Sequence, residues 1–174
     1  MNMLHHSTLA ISIALVVLAS CQPDHSALPS GSSEAVSAYV VDRVGLTSSG
    51  GQAFCAYEPL ADMRNSGAEA EVYVWVLCEE FYLEGETLHA GTATSLPLVL
   101  TLRRDDGSYG VVADSIHGEV APSEEQVRAL FPPPAWASVL PQTDQDVANF
   151  NDLMDRLERE VREQAVGAMA PQNH

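Results

Sequence analysis

Between Leu88 and Arg103 the chain alternates without a break. Leu88, Ala90, Thr92, Thr94, Leu96, Leu98, Leu100 and Leu102 fall on one side. His89, Gly91, Ala93, Ser95, Pro97, Val99, Thr101 and Arg103 fall on the other. A period of two sustained this long excludes a helix and assigns every side chain to one face of a sheet. Pro97 cannot donate a ladder hydrogen bond, so the strand bends, bulges or lies at an edge there. The run before it, Glu71 to Leu83, is rich in Val, Tyr, Trp and Phe, the residues that suit a pleated surface. Both its faces are apolar from Val72 to Cys78, which predicts a central strand. Glu84-Gly85 turns the chain between the two. Arg103-Arg104-Asp105-Asp106-Gly107 predicts a second tight turn, followed by a last strand over Ser108–His117.

The N-terminus carries a different signal. Leu9 to Ala19 is an unbroken apolar and small run, too short for the ~20 residues that a membrane-spanning helix needs, and it fits the core of a secretory signal. It ends in Leu18-Ala19-Ser20-Cys21. This tetrapeptide resembles the lipobox of bacterial lipoproteins, an aliphatic residue, two small residues and a Cys. The resemblance implies that Cys21 is acylated and opens the mature chain, which is then anchored to a membrane facing the periplasm or exterior. Gln22 rather than Asp after the Cys implies the outer membrane where the host has one. An ordinary signal peptide cleaved nearby would serve export equally. In either case His5 and His6 are discarded before folding.

With Cys21 assigned to lipid, Cys55 and Cys78 remain, and an even pair in an exported chain reads as a disulfide. Their placement agrees. Residues 52–58 also look like a strand, and Asn65-Ser66-Gly67 is a turn signal between 52–58 and 71–83. Cys55 and Cys78 are equidistant from the Ser66–Gly67 bond, so an antiparallel hairpin turning there would bring the two sulfurs face to face. Such a bridge closes a loop of about two dozen residues and stabilises by about 3 kcal/mol in the chain-entropy picture. The two Cys are not in a C-x-x-C arrangement, and no His stands at ligand spacing, which argues against a reactive thiol pair and against zinc.

Helices flank the strands. Val36, Tyr39, Val40 and Val44 recur at helical spacing over 34–46, with Ser33 as the expected N-cap. Ser123 and Gln126 have capping-box spacing at the start of a second helix, which must end by Phe131 because Pro132-Pro133-Pro134 follows. A last helix is expected over Asp144–Val166. Thr143 and Asp146 cap it, and Val147, Phe150, Leu153, Met154, Leu157 and Val161 form its apolar stripe. The predicted organisation is a signal peptide over 1–20, a Pro/Ser/Gly-rich tether over 21–33, one domain over 34–166 and a fraying tail over 167–174. The fold class is α+β: an N-terminal helix, a four-stranded antiparallel meander and two C-terminal helices. This order resembles cystatin-like topology. The stretches Gly91–Leu102 and Asp105–Val111, after an aromatic-rich strand, also resemble a domain of uncharacterised exported bacterial proteins. That resemblance supports the fold and implies no activity.

Composition bounds function by exclusion. The net charge is −16, from 24 acidic residues against eight Arg and no Lys. A surface this acidic does not track a phosphate backbone, so nucleic acid is not an expected partner. No nucleophile elbow, phosphate-cradling glycine loop or metal-ligand spacing is present, and no cofactor or metal is expected. His89 and His117 are the His residues of the sheet region, and their register does not make them neighbours. Glu79 and Glu80 alternate to opposite faces and so cannot act as a paired acid and base; Glu58, Glu79 and Glu84 could line a sheet edge and are expected to be solvated. Tyr73, Trp75 and Phe81 share one strand face. They are expected either to pack a helix or, with Trp136, to form a binding surface. Phe131–Trp136 reads as a rigid connector or a partner-binding ridge. The reading is a lipid-anchored cell-envelope module that binds an envelope protein or small ligand. The alternatives are a small hydrolase with a His/carboxylate site and a self-associating structural protein.

Overall fold

The computed structural model describes residues 28–115 and 123–169. The alternating segment is strand β3 (Thr87–Asp105), preceded by β1 (Gln52–Ser66) and β2 (Glu69–Glu84) and followed by β4 (Ser108–Asp114). The four form one antiparallel sheet in sequence order. Helix α1 (Ser33–Arg43) precedes the sheet. After it come α2 (Glu124–Leu130), a 3-10 turn (Pro133–Ala135), the short α3 (Trp136–Val139) and α4 (Asp144–Met169). The chain is therefore α+β, with a helix, a four-stranded meander and C-terminal helices packed on the sheet.

Parity sorts the core into two layers. Val72, Val74, Val76, Leu98, Leu100 and Leu102 point to one face and close over Val36, Val40 and Val44 of α1. On the other face Leu77, Phe81, Phe54 and Ala56 meet Leu153, Leu157, Val161 and Ala165 of α4. Tyr73 and Val99, on that same face, meet Val127, Phe131 and Ala135. β2 is buried on both sides, as its doubly apolar pattern requires. Each fully buried Leu or Val side chain contributes roughly 1.5–3 kcal/mol relative to exposure, so both layers are needed to hold so long a sheet.

Cys55 pairs with Cys78 across β1 and β2, and the two are joined by a disulfide. One register runs from Gln52↔Phe81 to Pro59↔Val74, and it is the register that the Cys pair predicts. Two shifts then follow, between Pro59 and Ala61 and between Ala61 and Arg64. They move the hairpin turn one residue past the Ser66–Gly67 bond, to Gly67-Ala68 between Ser66 and Glu69. Pro59 has no N–H for the ladder, and the irregularity begins there. The β3–β4 turn places Asp106 at φ 49° and Gly107 at φ 89°, the paired positive angles of a type I′ hairpin that Asp-Gly accommodates. Pro97 lies opposite Trp75 on its β2 side, while β4 pairs with β3 only from Leu100 to Asp105. Its missing donor therefore falls where β3 is locally an edge.

Several boundaries differ from the sequence reading. Ser32, not Ser33, precedes α1, and it is buried with its Oγ donating to the Pro29 carbonyl at 2.7 Å. Leu28 packs on the α1 layer. The folded body thus begins before Glu34. β4 ends at Asp114, Ser115 N–H donates to the Val99 carbonyl, and Ile116 and His117 lie outside the described residues. The capping box of α2 is present: Gln126 N–H donates to Ser123 Oγ, and Ser123 N–H to the Gln126 side chain. Thr143 and Asp146 cap α4 reciprocally. α4 continues through Gly167 to Met169 instead of fraying. Val147 is 45% exposed, because the buried stripe begins only at Phe150, where the helix meets the sheet, and ends on Ala165. Among the described residues no helix is long and apolar enough to cross a membrane.

Candidate functional site

The aromatic residues proposed as a binding surface do share the face that β-strand parity assigns them, but helices cover it. Phe81 is fully buried, edge-on to Phe54 at 6.1 Å, and Tyr73 is buried with its ring 6.2 Å from Phe131. Tyr73 keeps its hydroxyl at the rim, donating to Glu71 at 3.1 Å, and burial followed by the neighbouring carboxylate raises its pKa. Trp75 is half-buried, edge-on to Phe150 of α4 at 4.8 Å, with Nε1–H donating to Ser95 Oγ at 2.8 Å. Trp136 donates Nε1–H to the Phe131 carbonyl at 2.8 Å, and the Arg128 guanidinium lies over its ring at 4.5 Å. Tyr73 and Phe81 are thus core residues rather than contact surface. Phe131–Trp136 is a folded connector: the prolines restrict the chain while Phe131 and Ala135 enter the core.

The most organised polar site is at a residue to which the sequence assigns no role, Glu80. Glu79 does lie opposite Glu80 in facing, and burial raises its pKa, with Arg162 opposing and Glu158 adding. Glu80 is completely buried. Between the pairs Glu79↔Ala93 and Phe81↔Ala90, β3 bulges, setting Gly91 and Thr92 against this one residue. The bulge and the loop between α1 and β1 leave main-chain donors without ladder partners, and Glu80 collects them. Ser48 N–H donates to Oε2 at 2.9 Å, Ser49 N–H to Oε1 at 2.9 Å, Gly51 N–H to Oε1 at 2.8 Å and Thr92 N–H to Oε2 at 3.3 Å. The Ser48 and Thr92 hydroxyls bond to each other beside it. The Ser48 amide above all, then those of Gly51, Ser49 and Thr92, outweigh burial and hold the carboxyl down to about 2.

Two glycines make the room. A Cβ on Gly91 would come within 2.7 Å of Glu80 Oε2, and one on Gly51 within 2.3 Å of the Phe81 carbonyl oxygen. The sequence holds the trace of this arrangement in Thr47-Ser-Ser-Gly-Gly and in a glycine inside an otherwise regular strand, which marks a bulge or a close approach. Chemically, Glu80 is an anion saturated by backbone amides. It is ionised at any neutral pH and has no proton to give.

The other candidates separate in space. His89 stacks on Tyr82 at 5.6 Å, and its Nε2 stands 3.6 Å from Glu84 Oε2 at the exposed β2–β3 hairpin. Glu58 pairs with Arg156 of α4 at 3.3 Å. Two adjoining clefts share Glu58, Pro59 and Leu60 along the irregular half of β1. One, of about 600 Å³, is walled by Pro132 and Pro134, and the other, of about 320 Å³, by Asn149, Asp152 and Arg156. The described residues contain no cluster of three metal-ligating side chains. Cys21 and His117 lie outside the described residues. Comparison with protein-family models, with curated proteins and with solved structures gives no match for this chain.

Proposed function

We propose that this chain is a lipid-anchored accessory module of the bacterial cell envelope, which binds a partner or small ligand and does no chemistry on it. The observation that carries the reading is the Cys55–Cys78 bridge, set in the core between β1 and β2. A structural disulfide belongs to an oxidising compartment. It joins the apolar run ending in Leu18-Ala19-Ser20-Cys21, which supplies both export and an acylation site. The polar groups favour binding over catalysis. Glu80 is saturated by its four amides, and His89 stands at the exposed β2–β3 hairpin, stacked on Tyr82. The clefts along Glu58–Asp62, floored by Pro59, Leu60 and Ala61, are the place a ligand would occupy.

Mass spectrometry of the protein extracted from its host's membranes tests this reading. The expected species begins at Cys21, is heavier by a diacylglyceryl group and is lighter by the two hydrogens of one disulfide. A soluble, unlipidated chain with free thiols overturns it.

A further inference from the structure

The point at which the chain enters its fold constrains how an anchored domain would stand. Leu28 packs on the α1 layer and Ser32 is buried, so the chain is held to the domain from Leu28 onward. Only residues 22–27 separate it from Cys21. A stretch this short reaches at most about 25 Å. The entry point lies at one end of the sheet. Gly31 and Glu34 share a cleft with Gly107, Ser108 and Tyr109 of the β3–β4 turn. The β1–β2 turn is adjacent, with Arg104 N–H donating to the Ala68 carbonyl. The β2–β3 turn and the loop held by Glu80 are at the opposite end. β2 contains 16 residues, which at about 3.3 Å per residue separate the two ends by roughly 50 Å.

Charge distinguishes the ends as well. Arg64, Arg103 and Arg104 all lie at the entry end, with Arg64 and Arg103 bound to Glu71 and Glu69 at 2.5 Å and Arg104 over the Tyr109 ring. With Glu34, Asp105 and Asp106 also there, three cations meet five carboxylates, a small part of the chain's net charge of −16.

We infer that the domain stands on the lipid surface with its Ser66–Glu69 and Asp105–Ser108 turns against the headgroups, leaving the β2–β3 turn and the Glu80-held loop pointing away. This rests on acylation at Cys21, as proposed above. The partner surface assigned is the bilayer itself.

The test uses the acylated chain in vesicles of phosphatidylethanolamine and phosphatidylglycerol that carry nitroxide headgroups. Cys21 is acylated and Cys55–Cys78 is bridged, so a single added thiol at an exposed turn, S108C or E86C, takes a fluorophore selectively. The Ser108 position is expected to be quenched several-fold more than the Glu86 position. Inserting about 20 Gly/Ser residues between Pro23 and Asp24 should shrink that difference. Equal quenching at the two positions, in a chain whose mass includes the lipid, overturns the orientation and leaves the anchor standing. A chain whose mass lacks the lipid and that does not bind vesicles overturns both.

Discussion

Reducing the Cys55–Cys78 bridge leaves every atom of the core in place except the bond itself, so its effect isolates the constraint on the unfolded chain. The two cysteines are 23 residues apart. Closing a loop of that length removes about 11–12 cal/mol/K of chain entropy in the unfolded state, or about 3 kcal/mol at 25 °C. A domain of this size has an unfolding entropy of roughly 0.3 kcal/mol/K, so the midpoint should fall by about 10 °C. The assay is thermal and urea unfolding at pH 7 of one preparation with and without reductant, with the thiol count checked by mass. The urea slope should rise on reduction, because the opened chain exposes more surface when unfolded. The double variant C55A/C78A should lose more than reduction does, because both residues are buried against α1 and two sulfur volumes are emptied. A midpoint shift under about 2 °C with the thiols demonstrably free would refute the reasoning. It would mean that the β1–β2 pairing already restricts the unfolded ensemble as much as the bond does.

Glu80→Gln should loosen the 46–51 loop and remove an acid transition. The carboxyl is held below its ordinary value, so its contribution is complete above about pH 4.5 and fades as pH falls toward 2. Protection of the Ser48, Ser49, Gly51 and Thr92 amides, taken relative to their intrinsic exchange rates, should fall in that window in the parent and be low throughout in the variant, and a variant that keeps the parent's acid limb would exclude Glu80 as its source. Gly91→Ala should reproduce part of this, since its Cβ meets a carboxylate oxygen that four amides prevent from moving aside; raised acid sensitivity by circular dichroism is the expected result. Leu157→Ala empties a fully buried position under the sheet and should cost about 2–5 kcal/mol in urea unfolding. Val147→Ala, on the same nominal stripe but 45% exposed, should stay within about 0.5 kcal/mol. Equal losses at the two positions would show that α4 docks along its whole length.

The elements readable in the sequence are those in which one local rule acts alone. From Ala93 to Arg103 the period of two fixes which face each residue takes, and Leu98, Leu100 and Leu102 are buried together under α1 as a result; the bulge at Gly91-Thr92 reverses the faces before it, so Leu88 packs on the α4 layer instead of joining them. The mirror relation of Cys55 and Cys78 holds because the β1–β2 register is unbroken from Gln52 to Pro59, the half that contains the bridge. The turn end of the same hairpin escapes the rule, since a bulge adds a residue without changing the pattern of residue types. Strand parity divides the aromatic set by face, but whether a face meets a helix or water depends on where α4 and the Phe131–Trp136 connector fold back. No period of β2 encodes that. Glu80 was the most hidden. As a letter it is one of 24 acidic residues, and nothing in Glu79-Glu80 says which one receives four amides. That depends on a loop 29 to 32 residues upstream and a bulge 12 residues downstream.

Glu80 and the disulfide are best understood together. Cys78 and Glu80 are two residues apart on β2 and so point to the same face, beneath α1 and the loop that leaves it. The bridge ties β2 to β1 covalently. Two residues on, the carboxylate ties β2 to the α1–β1 loop and to β3. A chain with no Lys and only eight Arg has few cations to spend on a buried carboxylate, and placing one here would add the desolvation of a second charge. Backbone amides are the alternative source of positive dipole, and here they are donors that the loop and the bulge had already removed from the ladder and that required an acceptor. One anion therefore answers four unsatisfied donors without a counterion. Serine and glycine are the residues whose size permits that approach. This is why the region that looks least structured in the sequence, Thr47 to Gly51, is fastened at one of the most tightly determined points of the fold.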